Sequence, residues 1–187
     1  MKNFTLQKTS LKNLKLLISH PFMDERGSFN RLFCQNTLQK FTNKKIIQQV
    51  NHTLTKKKGI VRGLHFQNPP YAETKIVSCL KGRVWDVAVD LRKGSSTFLH
   101  YHAEVLCESD YKSFIIPEGF AHGFQTLSTN CEMLYFHTNV YKKKLEGIIN
   151  AVDPKIGIKW PELITHRSLR DTKQRMLNDN YTGIELK

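Results

Sequence analysis

The sequence predicts an all-β domain, and three observations predict it. Eight of the ten glycines fall between Gly59 and Gly157, a dense supply of turn residues. The runs between them are short and rich in β-branched and aromatic residues. The clearest run alternates strictly: Val84, Asp86, Ala88 and Asp90 occupy one face, and Trp85, Val87, Val89 and Leu91 the other. That period of two belongs to a half-buried strand. Short strands joined by frequent turns read as a sandwich or barrel, cupin-like or lipocalin-like.

Along the chain, residues 1–13 read as a loose polar lead. Strands and turns occupy Leu14 to about Gly157. Asn36–Phe41 is a short helical stretch. Gly59–Val61 is a strand candidate. Lys75–Leu91 holds two β-rich runs broken by Lys81-Gly82, which predicts a hairpin. Lys112–Pro117 and Glu132–Tyr141 are further strands, and Arg167–Leu177 is a candidate terminal helix. No repeat, low-complexity tract or Pro/Ser-rich linker interrupts the chain. We therefore expect one domain over 1–187, with the lead at 1–13 and a helical tail at 162–187.

The 187 residues are enough to bury a core without disulfide or metal staples. Hydrophobic residues at 40% and charged residues at 24% exclude wholesale disorder. No uncharged stretch approaches the ~20 residues of a membrane helix. The lysine-studded start lacks the apolar core of a secretory signal. A net charge of +13 points to anionic partners. The lysines are scattered, with short clusters at Lys56–Lys58 and Lys142–Lys144, and no RNP, zinc-finger or basic-helix signature is present. Much of the surplus therefore reads as solvated surface, with neither nucleic acid nor membrane as partner. Cys34, Cys79, Cys107 and Cys131 form no CxxC pair. They read as reduced, mostly buried thiols of a cytoplasmic protein.

Eight histidines make some clustering inevitable. His100 and His102 share a strand face, but no third metal ligand follows at suitable spacing, so they read as a polar face. His20, His52, His137 and His166 lack local partners and default to surface or satisfied core. His65 differs. Val61–Lys75 packs Arg62, His65, Gln67 and Lys75 around Pro69-Pro70. A guanidinium fork suits phosphate, an imidazole exchanges protons near neutrality, and an ammonium stabilises an oxyanion. The alternative is a turn carrying solvated basic residues. Ile116–Phe124 places Pro117, Gly119 and His122 in the P-x-G-x-x-H pattern of a second cupin motif. The first motif would need H-x-H, and Phe66-Gln67 follow His65, so a cupin metal site lacks most of its ligands and no metal is expected.

Taken in order, Asp24–Phe29 (DERGSF), Gln49–Thr53 (QVNHT), RGLHFQ-x-PP, Lys75-Ile-Val, Asp86–Ser95 (DVAVDLRKGS), Thr97-Phe98, IPEGFAHGF and Asp153–Pro161 (DPKIGIKWP) are collinear over roughly residues 14–172. In these motifs the chain resembles the nucleotide-sugar 3,5-epimerases, of which dTDP-4-dehydrorhamnose 3,5-epimerase is the best-known type. The resemblance implies a cupin-like double-stranded β-helix (jelly-roll) barrel with short C-terminal helices. It also implies a cofactor-free isomerase acting at C3 and/or C5 of a nucleoside-diphosphate 4-keto-6-deoxy sugar, in bacterial surface-polysaccharide deoxysugar synthesis. A C4 ketone acidifies the C3 and C5 protons, so a base and an acid on opposite faces suffice. No G-x-G-x-x-G fingerprint is present.

By resemblance His65 is the general base, paired with Asp171 in SLRDTK. Lys75 stabilises the enolate, and Tyr135 is the acid on the opposite face, with Tyr141 a second candidate. His122 lines the sugar pocket. Arg62, Gln49 and Asn51 lie around sugar and diphosphate. Arg26 reaches nucleotide bound in a partner subunit, and Phe29 lies near the base, which together imply a homodimer with exchanged N-terminal strands. Three positions depart from the family pattern: Arg31 and Val50 stand where acidic residues are usual, and Ala151 where Trp is frequent. These departures touch the nucleotide more than the reaction. They leave open a GDP-linked 4-keto hexose or heptose, epimerised at one carbon, and a noncatalytic nucleotide-sugar-binding module as a further alternative.

Overall fold

The structure is a computed structural model and describes residues 4–39 and 41–186. Two antiparallel sheets face one another. The first comprises β1 (Phe4–Lys8), β2 (Lys15–Ser19), β5 (Gln49–Thr55), β7 (Lys75–Lys81), β10 (Lys112–Ile116) and β12 (Cys131–His137), in the order β1-β2-β10-β7-β12-β5. The second comprises β6 (Val61–Gln67), β8 (Arg83–Asp90), β9 (Tyr101–Cys107), β11 (Phe120–Thr126) and β13 (Glu146–Ile148), in the order β13-β6-β11-β8-β9. A separate hairpin pairs β3 (Phe22–Asp24) with β4 (Gly27–Phe29). The helices are single turns, α1 (Gln35–Leu38) and α2 (Leu169–Thr172). This is the all-β class expected from turn density and alternation, in the cupin-like form that the resemblance implied.

Burial follows three layers. Between the sheets, Val77, Met133 and Phe114 of one sheet meet Val84, Ala88 and Phe124 of the other. Behind the second sheet, Val61, Leu64, Val87 and Val89 pack under Ile149, Ala151, Ile156 and Ile184 from the C-terminal third. Behind the first sheet, Leu17, Ile76 and Ile115 pack against Leu38, with Phe4 and Leu6 alongside. Each sheet thus has apolar groups on both faces. Area removed from water at roughly 25 cal/mol per Å² is the main stabilising contribution.

Several expectations need correction. Residues 1–3 of the expected lead lie outside the described residues, but Phe4–Lys8 is a strand paired with β2, not a loose segment. Phe4 and Leu6 alternate with Thr5 and Gln7, and the apolar pair packs behind the first sheet. Leu11 and Leu14 are likewise buried. Lys81-Gly82 is not a hairpin turn: β7 and β8 belong to different sheets, so the chain turns a corner there. Gly82 has φ +77, and a Cβ would meet the Ser128 hydroxyl at 2.7 Å, so any larger residue at this corner would be strained. Strand β8 is not half-buried, since Val84 and Asp86 through Asp90 are all buried. Its polar face looks between the sheets, and its apolar face is covered by the C-terminal third. Arg167–Leu177 is helical only over Leu169–Thr172. The rest of the 162–187 tail runs as an irregular strap, held by Asn150 Nδ2 to the Gln174 carbonyl and by bridges from Ile60 to His166 and Arg92 to Ile184. The thiols are all unpaired; Cys79 and Cys131 are buried, while Cys34 and Cys107 are half-buried.

Candidate active site

The site begins with a backbone contact. Strands β6 and β11 pair so that His65 stands directly opposite His122, and the register then shifts before Phe124. At that irregularity Gly63 (φ +128) and Gly123 face each other. A Cβ on Gly63 would meet Gly123 Cα at 2.6 Å, and one on Gly123 would meet the Arg62 carbonyl at 2.6 Å. Two glycines therefore let the strands close up and aim both imidazoles into a cavity of about 480 Å³ between the sheets.

His65 Nε2 lies 2.8 Å from Asp171 Oδ1. Asp171 is buried at 2% exposure in the turn of α2, where its own N–H donates to the capping Ser168 Oγ at 3.1 Å. Burial alone would raise the Asp171 pKa. The hydrogen bond and charge of His65, with help from Ser168, outweigh it and hold the carboxyl below its ordinary range. An ionised carboxylate only accepts, so Asp171 pairs with a proton on Nε2, and Arg170 Nη2 lies 3.2 Å from the same nitrogen. His122 has a similar arrangement, its Nε2 lying 2.9 Å from Asp86 Oδ1. Asp86 is fully buried, and desolvation pushes its pKa up against the pull of His122 and Lys75.

The opposite wall comes from the first sheet. Tyr135 on β12 places its ring 6.0 Å from that of His122 and 6.1 Å from that of His137. Burial pushes its phenol well above the usual range, so it rests protonated. Lys75, at the start of β7, is buried and directs Nζ to the His65 carbonyl at 3.3 Å and to Glu73 Oε1 at 3.4 Å. On β5, Gln49 donates from Nε2 to Asn51 Oδ1 at 3.2 Å. Arg62 lines the cavity from β6, with Nε donating to Thr55 Oγ1 at 3.0 Å. At the mouth the Tyr141 hydroxyl donates to Glu146 Oε2 at 2.8 Å, and Arg170 Nη1 reaches the same oxygen at 2.7 Å.

The structure thus brings His65, Asp171, Lys75, Tyr135, His122, Arg62, Gln49, Asn51 and Tyr141 to one cavity. It does not bring Arg26 or Phe29 there. Both sit on the β3–β4 hairpin, where Arg26 pairs with Asp24 and Phe29 is 74% exposed. Of the three departures, Arg31 and Val50 are exposed, and Ala151 is packed behind the second sheet, its carbonyl accepting from Trp160 Nε1 at 2.8 Å. Ala151 is therefore a packing position away from the cavity. The sequence reading missed Glu73, Asp86, His137, Glu146 and Arg170. Two signals existed: His137 shares the strand face of Tyr135 at a spacing of two, and Asp86 and Asp90 alternate onto the inner face of β8. His102, in contrast, bonds to Ser10 Oγ at 2.9 Å. Among the described residues no group of three or more His, Cys, Asp or Glu side chains is placed to hold a metal ion.

The dTDP-4-dehydrorhamnose 3,5-epimerase family model matches residues 8–179. A dTDP-4-dehydrorhamnose 3,5-epimerase of Salmonella typhimurium is 43% identical over 155 residues, 82% of this chain and 84% of that protein. Two crystal structures superpose closely. The Elizabethkingia anophelis dTDP-4-dehydrorhamnose 3,5-epimerase has a TM-score of 0.88 at 36% identity, covering 96% of this chain and 99% of that one. The Legionella pneumophila dTDP-6-deoxy-D-glucose-3,5-epimerase, solved with dTDP-4-keto-L-rhamnose, has a TM-score of 0.90 at 32% identity, covering 98% and 99%. With the site geometry and these likenesses in hand, the chain belongs to the dTDP-4-dehydrorhamnose 3,5-epimerase family of isomerases.

Proposed function

We propose that the cavity epimerises both C3 and C5 of a dTDP-linked 4-keto-6-deoxyhexose, without a cofactor. One observation carries this reading: His65 of the second sheet, paired with Asp171 of α2, shares one cavity with a protonated tyrosine and a buried lysine of the first sheet. His65 Nδ1 takes the proton from the carbon beside the ketone. The C–H electron pair forms the C=C bond, and the carbonyl π pair moves to the C4 oxygen. The Lys75 ammonium donates to that oxyanion. Tyr135 returns a proton to the opposite face, closing the new C–H bond, and the two side chains re-equilibrate with solvent. Asp171 holds the His65 tautomer and stabilises the imidazolium. Arg62, Gln49, Asn51 and His122 hold sugar and diphosphate, and Tyr141 closes the mouth.

Arg26 and Phe29 enter through a second copy in this reading. The hairpin exposes Phe22 (62%), Met23 (61%) and Phe29 (74%), an apolar surface that a homodimer would cover. Four unpaired thiols suit a cytoplasmic setting.

The test is solvent exchange. The protein is incubated in D2O with dTDP-4-keto-6-deoxyglucose and deuterium is followed at C3 and C5 by NMR. Incorporation at both carbons is expected. Incorporation at one restricts the reaction to mono-epimerisation, and none overturns the catalytic reading in favour of a binding module. Titration with dTDP and GDP decides the base: tighter GDP binding would overturn the dTDP assignment and support a role for Arg31.

A further inference from the structure

Glu73 and His137 form a buried acid–imidazole pair that the proposed chemistry does not use. Both are buried, Glu73 at 9% and His137 at 8% exposure. Glu73 Oε2 lies 3.0 Å from His137 Nδ1, and Glu73 Oε1 lies 3.4 Å from Lys75 Nζ. The other imidazole nitrogen, Nε2, lies 3.3 Å from Asn51 Nδ2. Asn51 Oδ1 in turn accepts from Gln49 Nε2 at 3.2 Å, and Gln49 Oε1 accepts from the Tyr141 backbone N–H at 2.9 Å. One chain of contacts therefore runs from the ammonium proposed to face C4 to the amides proposed to hold the substrate.

The directions of these bonds are mutually constrained. Burial would raise the Glu73 pKa, but the His137 hydrogen bond and the Lys75 charge outweigh it and hold the carboxyl ionised. A carboxylate only accepts, so His137 carries its proton on Nδ1. Nε2 meets the NH2 side of the Asn51 amide at 3.3 Å and accepts from it. This turns the Asn51 oxygen toward Gln49. On the other side, a buried lysine needs a paired anion to stay charged and in place. Glu73 and the His65 carbonyl restrain the ammonium from two sides, which leaves its remaining N–H for the oxyanion.

We propose that Glu73 and His137 are positioning residues for epimerisation: Glu73 holds the Lys75 ammonium, and through its bond to His137 it fixes the Asn51 amide in the wall of the cavity. The inference rests on the epimerase reading above. It predicts a separation of kinetic effects that a merely structural pair would not show. Glu73→Gln keeps the volume and removes the charge. It should lower kcat by about tenfold to a hundredfold, while KM and the dTDP dissociation constant stay within about threefold. His137→Leu removes both ring contacts and should raise KM and the dTDP dissociation constant by about tenfold with a smaller change in kcat. His137→Gln offers one donor and one acceptor, as the neutral ring does, and should recover much of the affinity.

The experiment compares deuterium incorporation, dTDP titration and thermal unfolding for the wild type and these three variants. Wild-type turnover with the predicted split, and rescue by glutamine at 137, supports the inference. Wild-type turnover with unchanged variants overturns it. So does a parallel loss of kcat, affinity and thermal stability in both Glu73→Gln and His137→Leu. Absence of wild-type turnover overturns the epimerase reading itself, and the inference with it.

Discussion

At the scale of single residues, the site depends on which carboxyls the barrel keeps ionised. Asp171 is held below its usual range by His65, and it should matter through the tautomer more than through charge alone. Asp171→Asn is expected to reduce deuterium incorporation on the order of a thousandfold with dTDP affinity nearly unchanged. His65→Asn should do at least as much, since it removes the base; a variant that retained turnover would reassign that role. Asp90 illustrates a structural counterpart. It is fully buried, and although burial raises its pKa, hydrogen bonds from Arg92, Ser95 and Thr97 bring it down to about 2. Its contribution to stability is therefore present above the unfolded pKa of roughly 4, and is lost as pH falls from there toward 2. The contribution is on the order of 2 kcal/mol. Urea midpoints measured between pH 5 and pH 2.5 should fall more steeply for the wild type than for Asp90→Asn. The Arg–His–Lys motif of the proposed chemistry was legible in the residues themselves, whereas Tyr135 and Asp171 were singled out only through the family resemblance. The pairing of Glu73 with His137 was not legible, because a carboxylate and an imidazole 64 residues apart carry no joint signal until β7 and β12 pair.

At the scale of elements, the close approach of β6 and β11 sets the separation of the two imidazoles. Gly123→Ala would drive a methyl group to 2.6 Å from the Arg62 carbonyl, a backbone atom that cannot swing aside. The expected cost is about 1–3 kcal/mol by denaturant midpoint. A fall in kcat beyond the unfolded fraction should accompany it, because His65 and His122 would be pushed apart. Unchanged activity in the folded fraction would show that the register irregularity serves stability alone. Strands β7, β8, β10 and β12 were readable as β-rich runs, whereas β5, β9 and β11 were not singled out, and no assignment of strands to sheets was readable. Lys81-Gly82 has the composition of a hairpin turn, but β7 finds its partners in β10 and β12, and β8 in β9 and β11. Local turn chemistry specifies a reversal of the chain; it does not specify whether the next strand returns to the same sheet. The tail shows the opposite error. Arg167–Leu177 has helix-forming residues, but its backbone groups bond to the barrel, as Leu177 N does to Asp153 Oδ2 at 2.5 Å, and tertiary contacts override propensity.

At the scale of the whole molecule, the dimer reading proposed above would share the site between two copies. Arg26 lies on an exposed hairpin, away from the cavity of its own chain, so the dimer reading has a direct consequence. Arg26→Ala and His65→Asn should each be inactive or severely impaired alone. Subunits mixed under conditions that exchange them should recover activity, because one site of each heterodimer would hold an intact Arg26 from one chain and an intact His65 from the other. No recovery in verified heterodimers would confine the site to a single chain. The net charge of +13 was a guide to an anionic ligand only in general terms. In the cavity the cations Arg62, Lys75 and Arg170 are offset by Glu73, Glu146 and Asp171, so arrangement, not surplus, would select a diphosphate.

By itself the sequence determined the all-β class, the period of its clearest strand and the collinear motifs, two of which carry His65 and Lys75. These are local properties: turn residues, a two-residue period and short motifs act over a few positions. Only the tertiary structure decided which face of β8 looks inward, which sheet each strand joins and which polar groups meet. His65 and Asp171 are 106 residues apart, and His122 and Asp86 are 36 apart. A period of two distinguishes two faces without saying which one closes over a cavity. Closing the barrel decides that, because a buried carboxyl or imidazole must find its partner from whatever strand the fold places opposite.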